Sequence, residues 1–155
     1  MERLLAVHLK KEYSLDLPRQ EVWDAIITPE ILAEILPNCK SLEPAGENEF
    51  VANIEIKVGP VTGKYKSNLS LFDLDPPSGY RFKVSGIGVK GTMSGEGEIK
   101  LVESEDGTIF IFNAEGNVSG IIARVGQRFI EAAGKKLMDQ GFENFKNRVM
   151  GSAAA

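Results

Sequence analysis

Between about residues 41 and 118, apolar side chains recur at every second position, and short polar turns interrupt the alternation at regular intervals. A period of two predicts β-strands with one apolar face and one solvent-facing face. The turns are too short to hold crossover helices, so we expect consecutive antiparallel strands in one sheet. Because the apolar face must be covered, this pattern requires a second layer.

The segment from about residue 119 to 150 predicts that second layer, since its apolar residues recur at helical spacing. The face predicted to point inward carries Ile122, Gly126, Phe129, Ile130, Ala133, Leu137, Gly141 and Phe145. The face predicted to point outward carries Arg124, Arg128, Glu131, Lys135 and Asp139. Near the amino terminus, residues 7–17 alternate as a strand, and Pro18 and Pro29 each begin a short helix. The predicted fold is α+β, in the order β-α-α, six strands, and one long closing helix.

Size and composition narrow the class of protein. The 155 residues fit one domain, with residues 1–150 folded and residues 151–155 as a flexible tail. The net charge of −4 and the scattered basic residues argue against a nucleic-acid partner. Cys39 is the only cysteine, which excludes an intrachain disulfide and favours a cytoplasmic location. No stretch reaches the roughly 18 apolar residues of a spanning helix, so we expect a soluble protein with peripheral membrane contact left open. The oligomeric state is not indicated.

Residues able to carry chemistry are few and do not converge. His8, the only histidine, shares the polar side of its strand with Lys10 and Glu12. Glu96 and Glu98 fall together on an outward-facing side, and Cys39 has no histidine nearby in sequence to activate it. A zinc or iron site needs several converging ligands. We therefore expect no catalytic residue, no metal and no cofactor.

Apolar residues collect at one end of the predicted sheet. Successive turns of an up-and-down sheet alternate between its two ends, and the turns at one end are all polar. The opposite end carries a set that we interpret as the portal of an apolar opening: Leu36, Val58, Pro60, Ile87, Val89 and Ile121. The alternative interpretation is that these loop tips pack on each other and seal the core.

Glycines also lie on both surfaces that should face each other. Gly126 and Gly141 fall on the inward face of the long helix, and Gly95, Gly97 and Gly116 fall on the inward side of neighbouring strands. Glycine costs about 1 kcal/mol relative to alanine inside a helix, so these positions need a compensating role. Either the helix approaches the sheet closely, or the missing side chains leave a cavity, which is the interpretation we favour.

Six segments occur in an order that resembles a known family. They are LDLPRQEVWDAI, ILPNCKSLE, VGPVTGKYK, LFDLDPPSGYRF, MSGEGEIKL and VGQRFIEAAGKKLMDQGFENF. The chain resembles the carbon monoxide dehydrogenase G-subunit family, within the START-like and polyketide-cyclase-like (SRPBCC) helix-grip superfamily. This resemblance implies a curved antiparallel sheet of about seven strands wrapped around a long C-terminal helix. It also implies a cavity for an apolar ligand, recruitment of a molybdenum hydroxylase to the membrane, and lipophilic electron carriers such as quinones.

Three functions follow from these observations. We favour non-enzymatic binding or carriage of a small apolar ligand, a quinone or lipid, with a possible molybdenum hydroxylase partner. The alternatives are a docking protein for an oxidoreductase or a membrane surface, and an enzyme of the cyclase or hydrolase kind. Tyr65 is a candidate to donate a hydrogen bond to the ligand, with Tyr13 as a second candidate. The alternative for both, which is the more common one for a buried tyrosine, is a core residue whose hydroxyl reaches backbone or water. The predicted ligand-binding residues are Tyr65, Leu69, Phe82, Val84, Met93, Phe110, Phe112, Ile122, Gly126, Phe129, Ile130 and Ala133.

Overall fold

The structure is a computed structural model that describes residues 4–36, 39–58 and 60–154. Its strands are β1 (Leu4–Leu15), β2 (Cys39–Gly46), β3 (Glu49–Val58), β4 (Val61–Asp75), β5 (Gly79–Gly88), β6 (Gly91–Ser104) and β7 (Gly107–Ser119). Its helices are α1 (Arg19–Ile26), α2 (Pro29–Ile35), a 3₁₀ segment (Ile121–Val125) and α3 (Gln127–Ala154). The predicted α+β architecture and its order of elements are confirmed.

The strands form one antiparallel sheet in the order β1-β7-β6-β5-β4-β3-β2. Each strand from β3 to β7 pairs with the strand before it, and β1 pairs along its whole length with β7. This long-range pairing places the first and last strands side by side. The sheet curves, and the side chains of one parity fill its concave face, as the period of two predicts.

Two groups of buried apolar side chains lie on the concave face. The first group lies near the two short helices and the end of α3, and includes Trp23, Leu101 and Phe145. The second group lies at the other end, near the 3₁₀ segment and the start of α3, and contains Leu5, Tyr65, Ile122, Ala123 and Ile130. Each large apolar side chain that is fully buried contributes about 1.5–3 kcal/mol, so both groups hold the closing helix in place.

The closing helix starts later than the sequence predicts. Gly126 has a φ of 100°, a conformation that glycine adopts readily, and it separates the 3₁₀ segment from α3. The long helix itself therefore begins only at Gln127. Phe129, predicted to face inward, lies about 100° around α3 from Ile130 and is 56% exposed. Ile130 and Phe145 are buried as predicted. At its other end α3 continues to Ala154, past the predicted domain end at residue 150.

Polar contacts fasten α3 to the edge strand β1. The Tyr13 hydroxyl and the Lys11 ammonium both donate to the Asp139 carboxylate, at 2.7 and 2.6 Å. The Tyr13 ring also stacks on Phe142, with ring centroids 3.9 Å apart. Asp139 is half-exposed, as predicted for the outward face of the helix, and it also reaches the edge strand, because α3 packs along β1 and not only over the centre of the sheet.

Candidate functional site

A cavity of about 200 Å³ lies between the sheet and α3, and both contribute to its walls. Its lining comprises Val7, Leu9, Ile56, Val84, Met93, Ser94, Gly95, Gly116, Asn117, Val118, Ile122, Ile130, Ala133, Gly134 and Leu137. None of these side chains titrates, and most are aliphatic or glycine. A concave apolar space of this kind is the usual form of a small-molecule site.

The glycines of the concave face have two different roles. Gly95 and Gly116 pair across β6 and β7 and line the cavity, so the sheet presents no side chain there. Gly134 and Gly141 instead allow close approach of the helix to its neighbours. A Cβ on Gly134 would lie 3.1 Å from Leu9 Cδ1, and one on Gly141 would lie 2.5 Å from the carbonyl oxygen of Ile35. Close approach applies at Gly116 as well, where a Cβ would lie 2.4 Å from the carbonyl oxygen of Ser94, so a glycine of this cavity can have both roles.

Two hydroxyl groups on β4 are buried without a hydrogen-bond partner among the described residues. Tyr65 is 2% exposed and Ser67 is 1% exposed, and both lie on the concave face. Burial raises the pKa of the Tyr65 hydroxyl, which keeps it protonated and able to donate. The equally buried Tyr80 differs, because its hydroxyl donates to the carbonyl oxygen of Ile26 at 3.0 Å.

A larger depression of about 760 Å³ lies mainly against the outer face of the sheet. Polar and charged side chains line much of it, including the exposed His8, Lys83, Glu96 and Glu115. The His8 ring lies 2.8 Å from the Asn113 side chain, on the polar face that the sequence predicts. Because these side chains are solvated, the depression lacks the apolar lining of the smaller cavity, with which it shares Gly95 and Gly116.

Cys39 does not have the surroundings of a nucleophile. Its thiol is half-buried and donates to the carbonyl oxygen of Ser41, with a sulfur to oxygen distance of 3.2 Å. Burial raises the pKa of this thiol, which disfavours the reactive thiolate. Among the described residues, no group of three or more His, Cys, Asp or Glu side chains is placed to hold a metal ion.

A protein-family model for CoxG, the G subunit of carbon monoxide dehydrogenase, matches residues 12–150. The chain belongs to this family. The match spans both walls of the cavity, from near the end of β1 through most of α3. A comparison with the curated proteins gave no match.

Solved structures share the fold of this CoxG-family chain. A conserved protein from Geobacillus kaustophilus is 31% identical, with a TM-score of 0.87 over 96% of this chain and 97% of that one. A protein from Rhizobium leguminosarum is 12% identical, with a TM-score of 0.74 over 97% and 98% of the two chains. The Zhui aromatase/cyclase from Streptomyces sp. R1128 is 15% identical, with a TM-score of 0.61 over 97% and 94%. The last two likenesses show the helix-grip fold alone.

The CoxG-family cavity contains some of the predicted ligand-binding residues. Five of them line it: Val84, Met93, Ile122, Ile130 and Ala133. Four others belong to the first buried group or pack against it: Leu69, Phe82, Phe110 and Phe112. The rings of Phe82 and Phe112 stack, with centroids 5.6 Å apart. Three more lie outside the lining: Tyr65, Gly126 and Phe129. Gly126 precedes α3, and Phe129 lies about 100° around α3 from Ile130, at the edge of the predicted inward face. Most of the aromatic residues predicted to contact a ligand are therefore packed core residues.

Several lining residues were missed by the sequence analysis. Val7 and Leu9 share the parity of Tyr13 within the predicted strand 7–17, so the alternation places them on the inward side, but they were not assigned to the site. Leu137 was predicted to face inward but was not assigned to the site. Ile56 and Val118 could not be selected by parity alone, since many other inward residues share that property.

The predicted portal residues are mostly exposed at the strand ends. Val89 is 91% exposed, Ile87 is 70% exposed and Ile121 is 45% exposed. Pro60 is exposed, Leu36 is half-buried, and the side chain of Val58 lies outside the described residues. The turn between β5 and β6 contacts the 3₁₀ segment through its backbone, since the Lys90 carbonyl oxygen accepts from the Ile122 amide at 3.0 Å. The loop backbones therefore pack together, as in the alternative interpretation of a sealed core end, while the side chains of Ile87 and Val89 project into solvent.

Over the described part of the chain, no helix combines the length and the apolar character needed to cross a bilayer.

Proposed function

We propose that this protein binds a small apolar ligand in the cavity between its sheet and α3, without catalysing a reaction. The observation that carries the proposal is the lining, which is apolar along both walls and contains no titratable side chain. A cyclase or hydrolase would need an acid or base within reach of its substrate. The apolar lining supports binding, which we place in the cytoplasm in keeping with the single unpaired cysteine.

The cavity volume limits how much of a ligand it encloses. A buried apolar cavity of about 150 Å³ is enough to bind benzene. A volume of about 200 Å³ therefore accommodates one ring or a short chain segment, so a quinone or lipid would place only its ring or chain end inside. Burying roughly 150 Å² of apolar surface contributes about 4 kcal/mol, and the loss of translational and rotational freedom on association offsets much of it, so the cavity alone supports only weak binding. Tighter binding requires further contacts.

The experiment that tests this proposal is native mass spectrometry of the protein purified without detergent, followed by organic extraction. We expect a stoichiometric apolar compound to be released, and an emptied protein to take up a quinone or lipid again. A protein that is empty on purification and binds none of these compounds would overturn the proposal.

The family description supports a partner as part of the same proposal. We propose that the protein delivers or withdraws its ligand as an accessory to a molybdenum hydroxylase such as carbon monoxide dehydrogenase. Co-purification of such an enzyme with the tagged protein, and a dependence of its electron transfer on the ligand-loaded form, are the expected results. If the enzyme neither associated with the protein nor changed its electron transfer in its presence, the proposed accessory role would be wrong.

A second candidate function, docking onto a membrane surface, is favoured by one arrangement of charge. One end of the sheet carries six Lys or Arg residues and no Asp or Glu, counted over the segments 57–66, 87–92 and 119–128. The turns at the opposite end, in segments 46–49, 73–79 and 103–107, carry seven Asp or Glu residues and no Lys or Arg. In a chain of net charge −4, this separation directs the basic end toward an anionic surface.

Vesicle sedimentation tests the docking candidate. The double variant Ile87→Asp with Val89→Asp should lose binding to phosphatidylglycerol vesicles, because it places two charges where apolar side chains would enter the interface. The matched control is Leu74→Asp with Val102→Asp, two residues 36% and 45% exposed, which should bind like the unmodified protein. Equal binding of all three proteins, or binding that 0.5 M salt does not weaken, would count against docking.

A further inference from the structure

One side of α3 is fastened to the edge strand β1. At the start of the helix, the Gln127 side chain donates to the Ala6 carbonyl oxygen. One to two turns further on, Gly134 lies so close to Leu9 that a Cβ there would be 3.1 Å from Leu9 Cδ1. Beyond that, the Asp139 carboxylate accepts from two side chains of β1. These contacts close the gap between α3 and β1.

The other side of the first half of α3 carries Ala133 and Phe129. Counting about 100° per residue from Ile130, Gln127 and Gly134 lie about 60° and 40° toward β1. Ala133 and Phe129 lie about 60° and 100° in the opposite direction. Residues four apart on a helix are neighbours on its surface, so Phe129 lies one turn from Ala133 on the side of α3 that faces away from β1.

The cavity reaches this second side of the helix. Ala133 on α3 and Ile56 on β3 both line the cavity, and both are only half-buried. Over the described ranges, no side-chain hydrogen bond or salt bridge joins residues 127–140 of α3 to β3 or β4. The mouth of the cavity therefore lies between β3 and the side of α3 that carries Ala133 and Phe129.

Phe129 differs from the other aromatic residues in its exposure. Its side chain is 56% exposed, whereas every other aromatic side chain in the described part of the chain is buried or half-buried. One exposed apolar side chain needs no explanation by itself. This ring, however, lies one helical turn from the wall of a cavity of only about 200 Å³. A ligand larger than one ring or a short chain has to project from the cavity beside it.

We propose that Phe129 contacts the part of the ligand that projects from the mouth of the cavity, and that the ligand carries an apolar chain too long for the cavity. This inference rests on the proposed binding function and adds to it a residue and a class of ligand. Packing of the chain against the Phe129 ring removes apolar surface of both from water. It supplies binding surface beyond that of the cavity, which alone supports only weak binding.

Two straight-chain alcohols separate contact at the mouth from contact inside the cavity. The cavity has room for the chain of 1-hexanol, whereas 1-decanol has four more methylene groups, which must project. NMR titration of the isotopically labelled protein would measure the dissociation constant of each alcohol for the unmodified protein, Phe129→Ser and Phe129→Leu. Val102→Ser is the matched control, because Val102 is 45% exposed and lies near the opposite end of the sheet.

The expected result is a change confined to the longer alcohol. Each methylene group half-buried against the ring should strengthen binding about twofold, so the unmodified protein should bind 1-decanol about tenfold more tightly than 1-hexanol. Phe129→Ser should bind 1-decanol about fivefold more weakly than the unmodified protein and bind 1-hexanol equally well. Phe129→Leu should retain most of the affinity for both alcohols, and Val102→Ser should alter neither.

Two kinds of result would overturn the role of Phe129 while leaving apolar binding intact. The first is an unmodified protein that binds 1-decanol no more tightly than 1-hexanol. The second is a Phe129→Ser variant that loses affinity equally for both alcohols or for neither. If the unmodified protein bound neither alcohol, the proposed binding function would fail, and this inference with it.

Discussion

Tyr13 donates a 2.7 Å hydrogen bond from its hydroxyl to the carboxylate of Asp139, which joins the edge strand β1 to α3. The Lys11 ammonium donates to the same oxygen at 2.6 Å. These two hydrogen bonds, that of Lys11 first, favour the charged carboxylate and lower the pKa of Asp139 below its ordinary value of 3.8. The closing helix is thus held at its middle by a contact that depends on charge.

Removing that charge should make stability depend less on pH. A carboxyl group whose pKa is lower in the folded than in the unfolded state stabilises the fold at pH values above its unfolded-state pKa. This contribution is lost as the pH falls through the folded-state pKa. Asp139→Asn should therefore lower the free energy of unfolding at pH 7 by about 0.5–1 kcal/mol, a small amount because solvent screens this half-exposed group. Urea unfolding should show the difference from the unmodified protein shrinking as the pH falls from 5 to 3. A difference that stays constant over that range, or that Glu143→Gln on the same helix reproduces, would contradict this account.

The two glycines that bring α3 close to its neighbours should respond oppositely to alanine. Gly134→Ala places a Cβ 3.1 Å from Leu9 Cδ1, and the Leu9 side chain can yield because it borders the cavity. The helix then gains up to about 1 kcal/mol of propensity, so we expect unchanged or slightly higher stability. Gly141→Ala places a Cβ 2.5 Å from the Ile35 carbonyl oxygen, a backbone atom that cannot yield cheaply. That variant should lose about 1–3 kcal/mol in urea unfolding, and equal responses of the two variants would refute the distinction.

Local periodicity predicts the sheet well, because the parity of a strand residue is a local property. The inward sides of Tyr65, Val84 and Met93 follow from their positions in alternating segments, and the structure places all three on the concave face. The closing helix was predicted less well. Gly126, with a positive φ, delays its start to Gln127, and Phe129, at the edge of the predicted inward face, is exposed.

The position of the cavity could not be predicted from the sequence. Inward residues such as Phe110 and Val84 have the same parity, and only the path of α3 over the sheet decides which is packed and which borders open space. The same holds for the glycines, because Gly95 lines the cavity while Gly134 also allows close packing against Leu9. These outcomes depend on contacts between distant parts of the chain, which a single sequence does not display.

Filling the cavity should remove ligand binding without harming the fold. Ala133 lies on the cavity wall of α3, and Ala133→Met would extend a flexible apolar side chain into the space. Newly buried methylene groups should raise the free energy of unfolding by about 1–2 kcal/mol. The neighbouring Ala132 is exposed, so Ala132→Met should change neither binding nor stability. Ligand uptake measured by native mass spectrometry, together with urea unfolding, would check both, and a filled variant that still takes up the ligand would place the site elsewhere.

The two buried tyrosines on neighbouring strands should respond oppositely when their hydroxyls are removed. Tyr65→Phe deletes a hydroxyl without a partner among the described residues, so ligand-free protein should gain about 1 kcal/mol in free energy of unfolding. Tyr80→Phe deletes the donor to the Ile26 carbonyl oxygen and should lose about 1 kcal/mol. Urea unfolding of both variants would measure these changes. If Tyr65→Phe were less stable than the unmodified protein, its hydroxyl would have a hydrogen-bond partner within the protein, and this prediction would be wrong.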